Sequence, residues 1–158
     1  MSREFSFGRL LASLGLCHLV SLGSLLFAIP SLAGWYGQLV KPGFAPPQWL
    51  FPPAWLSLYT LMGIALYAIW NQGAGRLEVK KTLLLFTMQL ILNLLCASSF
   101  FGLHSLLLAA FLSLLLCLVL LLTILRAAKL SQAALLLLPH LLWSVYLAAV
   151  AWTLLFLN

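Results

Sequence analysis

Long apolar blocks alternate with short polar breaks along the whole chain. Thirty-one uncharged residues separate Arg9 from Lys41, 34 separate Lys41 from Arg76, 44 separate Lys81 from Arg126, and 29 follow Lys129. A helix needs about 20 apolar residues to cross the hydrocarbon of a bilayer. The 44-residue block therefore holds two spans folded back at SSFFGLHS (98–105), and each other block holds one. The pattern predicts an all-α integral membrane protein, one domain over 1–158, with spans at about 10–29, 53–72, 82–101, 104–125 and 132–157. Polar punctuation falls at the same breaks, at Asn71-Gln72-Gly73-Ala74-Gly75 and at Ala128-Lys129-Leu130-Ser131-Gln132.

Composition agrees. Charged residues are 6% of the chain and apolar residues 65%, with a mean hydropathy of +1.15. A soluble domain of this length lacks the interior to hide so much apolar surface. The basic residues then orient the spans, because positive charge gathers in cytoplasmic loops. Arg3, Arg9, Arg76, Lys80, Lys81, Arg126 and Lys129 all fall on one side of a five-span chain, and Lys41 alone on the other. The N-terminus is expected in the cytoplasm and the first loop outside. The net charge of +6 is spent on topology and anionic lipid head groups, so no nucleic-acid partner is expected. No small-x-small cleavage site follows the first apolar run, which reads as a retained span.

Several chemistries lack their residues. The only carboxylates, Glu4 and Glu78, lie in cytoplasmic-side loops, whereas ion-coupled transporters and pumps use titrating groups inside the membrane. A retinal protein would need a mid-span lysine. Ser98 and Ser99 beside Phe100-Phe101-Gly102 do not form the glycine-flanked nucleophile turn of an intramembrane protease. Cys17, Cys96 and Cys117 fall inside spans without CxxC spacing and read as packing residues, so no metal site is expected.

Residues 30–59 stand apart, with six of the seven prolines and three of the six tryptophans. Irregular backbone cannot satisfy its own hydrogen bonds in lipid, so this segment must sit at the interface or cover a cavity. Gln89 and Asn93 lie four apart on one face of the third span, continued by Cys96 and Phe100. They serve either as interhelical hydrogen-bond glue or as polar groups aimed into a cavity. Trp55 and Tyr59 share a face of the second span, and Trp143 lies one turn after Pro139, whose missing N–H opens the fifth helix. Trp35, Tyr36, Trp49 and Trp152 fit an interfacial aromatic belt. His18, His104 and His140 read first as packing histidines, with His140 nearest the presumed cavity. Ser13, Cys17 and Ser21 form a small-residue ridge that permits close helix approach, inside the bundle or between protomers.

Taken together, these residues carry a resemblance. Trp35-Tyr36, Lys41-Pro42, Phe44, Pro46-Pro47, Trp49, Phe51, Trp55, Leu58-Tyr59 and Met62-Gly63 make a long, uncommon run. Gln89-Leu90, Leu92-Asn93, Phe100-Phe101-Gly102, Pro139, Leu141 and Trp143 continue it. In these the chain resembles the TspO/translocator protein family, the peripheral-type benzodiazepine receptors or tryptophan-rich sensory proteins. The resemblance implies a five-helix bundle, usually a homodimer, with the first loop as the lid of a pocket. It implies porphyrins, haem-like tetrapyrroles, sterols and aromatic drug-like molecules as ligands, with no cofactor required. Carried over by position, the pocket holds Tyr36, Pro46, Trp55, Tyr59, Gln89, Asn93, Trp143 and Leu147, with Phe100 and His140 beside them.

The expected function is a membrane receptor or binding protein for tetrapyrroles, acting in their transport, turnover or stress sensing. Uncoupled porphyrin or sterol transport is one alternative. Light-dependent porphyrin degradation is another, with Trp55 and Trp143 as the oxidisable indoles. The chain departs from the family at Cys96-Ala97, His140, Tyr146-Leu147 and Val150-Ala151, which implies a narrower pocket floor and a preference for porphyrin over benzodiazepine-type drugs. The absence of a sterol-recognition pattern before the terminus at Asn158 suggests a bacterial cell membrane.

Overall fold

A computed structural model describes residues 5–158; Arg3 and Glu4 lie outside the described residues. The chain forms α1 (Phe7–Ala33), a short α2 (Trp35–Gln38), α3 (Phe51–Trp70), α4 (Leu77–Ala97), α5 (Leu106–Ala128) and α6 (Leu138–Leu157). One turn of 3-10 helix, Gln48–Leu50, leads into α3, and Gln132–Leu137 winds as 3-10 helix into α6. Five of these units are long and apolar enough to cross a membrane: Phe7–Ala33, Gln48–Trp70, Leu77–Gly102, Leu106–Ala128 and Gln132–Leu157. The predicted spans are all present, with α1 and α4 starting earlier than hydropathy suggested. Basic residues join a first turn at little cost, since their long stems keep the charge in water.

Local signals set the helix starts. The hydroxyls of Ser6, Ser105 and Ser131 accept from the backbone N–H groups of Arg9, Leu108 and Ala133, each satisfying an otherwise orphaned donor. Pro52 and Pro53 occupy the first turn of α3, where a missing N–H costs nothing. The same holds for Pro139. Pro139 was expected to open the fifth span from within. Instead the span changes winding just before it, from 3-10 to α, and the proline sits in the α-helical first turn.

The spans close into a ring in which α1 packs on α3 and α4, α4 on α5, and α5 on α6. The ring closes between α3 and residues 132–137, while α3 touches α6 itself only lightly. Those two helices thus meet near the basic end and part toward the other. The ridge on α1 faces inward: Ser13, Cys17, Ser21, Ser24 and Ala28 are buried while Leu11, Leu19, Leu22 and Leu26 are exposed. This decides the alternative that the sequence left open. At the crossing, a Cβ on Gly63 would stand 2.9 Å from the Leu14 Cα, so only glycine permits the contact.

Contacts sort the two ends. Arg9 Nη1 donates to Asn71 Oδ1 (3.1 Å), and Arg126 pairs with Glu78 (3.6 Å), gathering the N-terminal side and the second and fourth loops. At the opposite end Asn158 brackets Val40, accepting from its N–H (3.0 Å) and donating to its carbonyl (3.1 Å).

Candidate functional site

The gap between α3 and α6 is an internal cavity of about 110 Å3, walled also by α4, α5 and Ser24 of α1. The first loop covers part of it, with Tyr36 on the wall. Lys41, the lone charge of the loop, organises this lid from within. Its Nζ donates to the carbonyls of Tyr36 (2.7 Å), Gly37 (3.1 Å) and Leu39 (3.1 Å), capping α2, and lies 4.9 Å from the centre of the Tyr36 ring. Ammonium–carbonyl bonds are stronger than neutral ones, and a cation belongs at a helix C-terminus. Tyr146 Oη then donates to the Phe44 carbonyl (2.7 Å), fixing the far arm of the loop to α6.

Aromatic side chains from four elements line the cavity, between small and aliphatic residues. Phe51 meets Tyr36, Trp55, Phe101 and Trp143 edge to face, at centroid distances of 5.8 to 6.3 Å. Such edge-to-face pairs stabilise one another beyond their area burial. At the depth farthest from the lid, Tyr59 stands 6.0 Å from His140. Polar groups are few, and several have no protein partner. Tyr36 Oη, Trp143 Nε1 and both ring nitrogens of His140 are buried without a hydrogen bond. Buried polar atoms are nearly always satisfied. Three such side chains gather on this one small cavity. Burial, with the Tyr146 phenol nearby, raises the Tyr36 pKa, so its hydroxyl stays a neutral donor.

The residues expected at the pocket divide. Tyr36, Trp55, Tyr59, Asn93, Phe100, His140, Trp143 and Leu147 line the cavity. Pro46 is buried in the lid but off the wall. Gln89 is fully buried, also off the wall, with its amide unpartnered. One helical turn separates it from Asn93, whose Nδ2 donates to the Gln89 backbone carbonyl (2.9 Å) and which takes the cavity side. The departures Cys96, Leu147 and Ala151 were expected at the floor. They line the wall instead on its lid side, because α4 and α6 both run from the basic end toward the lid; the floor is Tyr59 and His140. Ala109, Ser113 and Leu116 of α5 were not foreseen, since in a leucine-rich run the inward Leu116 looks like its exposed neighbours.

Of the other histidines, His18 Nε2 lies 3.2 Å from Thr60 Oγ1, tying α1 to α3, and His104 stacks on Trp35 outside the cavity. Trp49 is 71% exposed, as a belt residue should be, whereas Tyr36, also read as a belt residue, is buried at 1% exposure because it turns into the cavity.

A family model described as the TspO/MBR family matches residues 13–157. The chain belongs to the TspO/MBR family. It is 41% identical over 147 residues to the tryptophan-rich protein TspO of Chlorobaculum tepidum, covering 92% of each chain. It is 38% identical to the tryptophan-rich protein TspO of Archaeoglobus fulgidus, over 95% of this chain and 97% of that one. The human translocator protein matches over a shorter stretch, 41% identical across 69 residues, 43% of this chain and 41% of that one.

Proposed function

We propose that this TspO/MBR member is a membrane receptor that binds a porphyrin or haem-like tetrapyrrole under the first loop. One observation carries the reading: Tyr36, His140 and Trp143 present unpartnered polar atoms to a largely apolar cavity that five further aromatic rings also line. A flat macrocycle stacks on indole and phenol rings. Its peripheral carboxylate oxygens accept from the Tyr36 O–H and the Trp143 N–H. The space seen is well below the ~300–1,000 Å3 of typical ligand pockets, so the site widens on binding. Sterols fit the donor set less well, offering a single hydroxyl.

In this reading the basic end faces the cytoplasm, as the positive-inside rule directs. The lid faces outward across a bacterial cell membrane, and the protein works as a homodimer. Titrating protoporphyrin into detergent-purified protein should give saturable quenching of tryptophan fluorescence. Absence of saturation overturns the proposal.

Light-dependent porphyrin breakdown is the second reading, favoured by Trp55 and Trp143 both lying on the cavity wall. The porphyrin supplies the photochemistry and the protein an oxidisable indole. Illumination should then bleach bound porphyrin faster in the wild type than in Trp143→Phe; equal rates refute it.

A further inference from the structure

Outside the lidded cavity, a second hollow of about 330 Å3 opens between α1 and the end of α4, lined by Leu26, Phe27, Ser31, Trp35, Phe101 and His104 among others. Phe101 lines both spaces. Its ring packs against Tyr36 (6.2 Å), Phe51 (5.9 Å) and Trp55 (6.2 Å), so one aromatic side chain partitions hollow from cavity.

Both walls of the hollow are helix irregularities. After α4, Ser98–Gly102 winds as a π-helix, with the Leu103 N–H donating to the Ser98 carbonyl (2.8 Å). Such wide turns concentrate at functional positions. Opposite it, Pro30 removes a backbone donor from the last turns of α1. A segment short of regular hydrogen bonds shifts at lower cost than an unbroken helix.

The hollow is also amphipathic in the direction a bilayer demands. Leu26 is 76% exposed on the outer face of α1, and Phe27, 41% exposed, lays its ring against Gly102. The lid-side rim is polar and flat: His104 stacks on Trp35 at 4.4 Å and 18°, with its Nε2 3.4 Å from Ser31 Oγ. This rim lies at interface depth, where aromatic and polar groups are stable together.

We infer that this hollow is a lateral vestibule, taking a flat, apolar macrocycle from the outer leaflet and passing it to the cavity when Phe101 swings aside. The inference rests on the tetrapyrrole reading above. A bilayer-dissolved ligand reaches this face without crossing the lid, whose Lys41 and Tyr146 bonds hold the other route shut.

Kinetics test it in lipid nanodiscs, with protoporphyrin preloaded in donor vesicles and its absorbance followed on mixing. Leu26→Trp and Phe27→Trp narrow the hollow at residues that do not line the cavity. Each should slow association and dissociation together, by tenfold or more, leaving the equilibrium Kd within about twofold. Lys41→Met, which frees the lid, should leave the association rate unchanged. Plugged variants that bind at the wild-type rate overturn the inference, as does a Lys41→Met protein that binds faster while the plugs have no effect. Failure of the receptor reading shows separately, as no saturable equilibrium binding in any variant.

Discussion

Replacing Gly63 by alanine tests the crossing that holds α1 to the bundle. The new Cβ would lie 2.7 Å from Leu14 Cδ2, 2.9 Å from its Cα and 3.3 Å from its backbone nitrogen. The side-chain end can rotate away; the Cα cannot. Carbon atoms rest about 3.5–4.0 Å apart, so α1 must retreat by about 0.6–1.1 Å along its contact with α3. A gap of that size forfeits about a quarter to a half of each contact across it, and overpacking costs about 1–3 kcal/mol. Against this, removing a helix-interior glycine returns about 0.5–1 kcal/mol. The net expectation is a loss of about 1–2 kcal/mol.

Gly15 supplies the control. It lies in α1 itself, with nothing within 4 Å of its Cβ position, so Gly15→Ala should be neutral or stabilising. Denaturation of both variants in mixed detergent, followed by helical circular dichroism, compares them directly. Gly63→Ala unfolding no more easily than Gly15→Ala would refute the close-approach argument.

Other consequences follow from the lid and the cavity. Lys41→Met removes three carbonyl contacts and should raise amide exchange across residues 36–42 about 10–100-fold, from the ~1.5–3 kcal/mol of charge-assisted bonding lost; unchanged exchange would show that the lid is held otherwise. His140→Phe deletes two unsatisfied ring nitrogens and should stabilise the ligand-free protein by about 1–3 kcal/mol while weakening porphyrin binding. A less stable ligand-free variant would mean that those nitrogens already have partners. Gly73 sits at φ +105°, so Gly73→Ala should cost about 1–2 kcal/mol, read in the same unfolding assay, with no change in ligand affinity.

The number, order and approximate limits of the spans were legible in the sequence, because hydrophobic thickness sets a length that a leucine-rich run either meets or does not. Which loops share an end of the bundle was legible for a similar reason, since so few charges leave little ambiguity about which loops are basic. Residues 30–59 announced a covering loop through prolines that cannot stand in lipid. What this chain could not reveal alone was the direction in which polar side chains point. Gln89 and Asn93 share a helix face by period, yet only Asn93 lines the cavity, while Gln89, one turn nearer the basic end, is buried off its wall. Pro139 looked like an interruption until the change from 3-10 to α winding made it a helix start. The inward turn of the Ser13, Cys17 and Ser21 ridge, the Tyr59–His140 floor and the partition at Phe101 came from helix crossings. Those crossings depend on contacts between residues far apart in sequence, and no local pattern of hydrophobicity contains them.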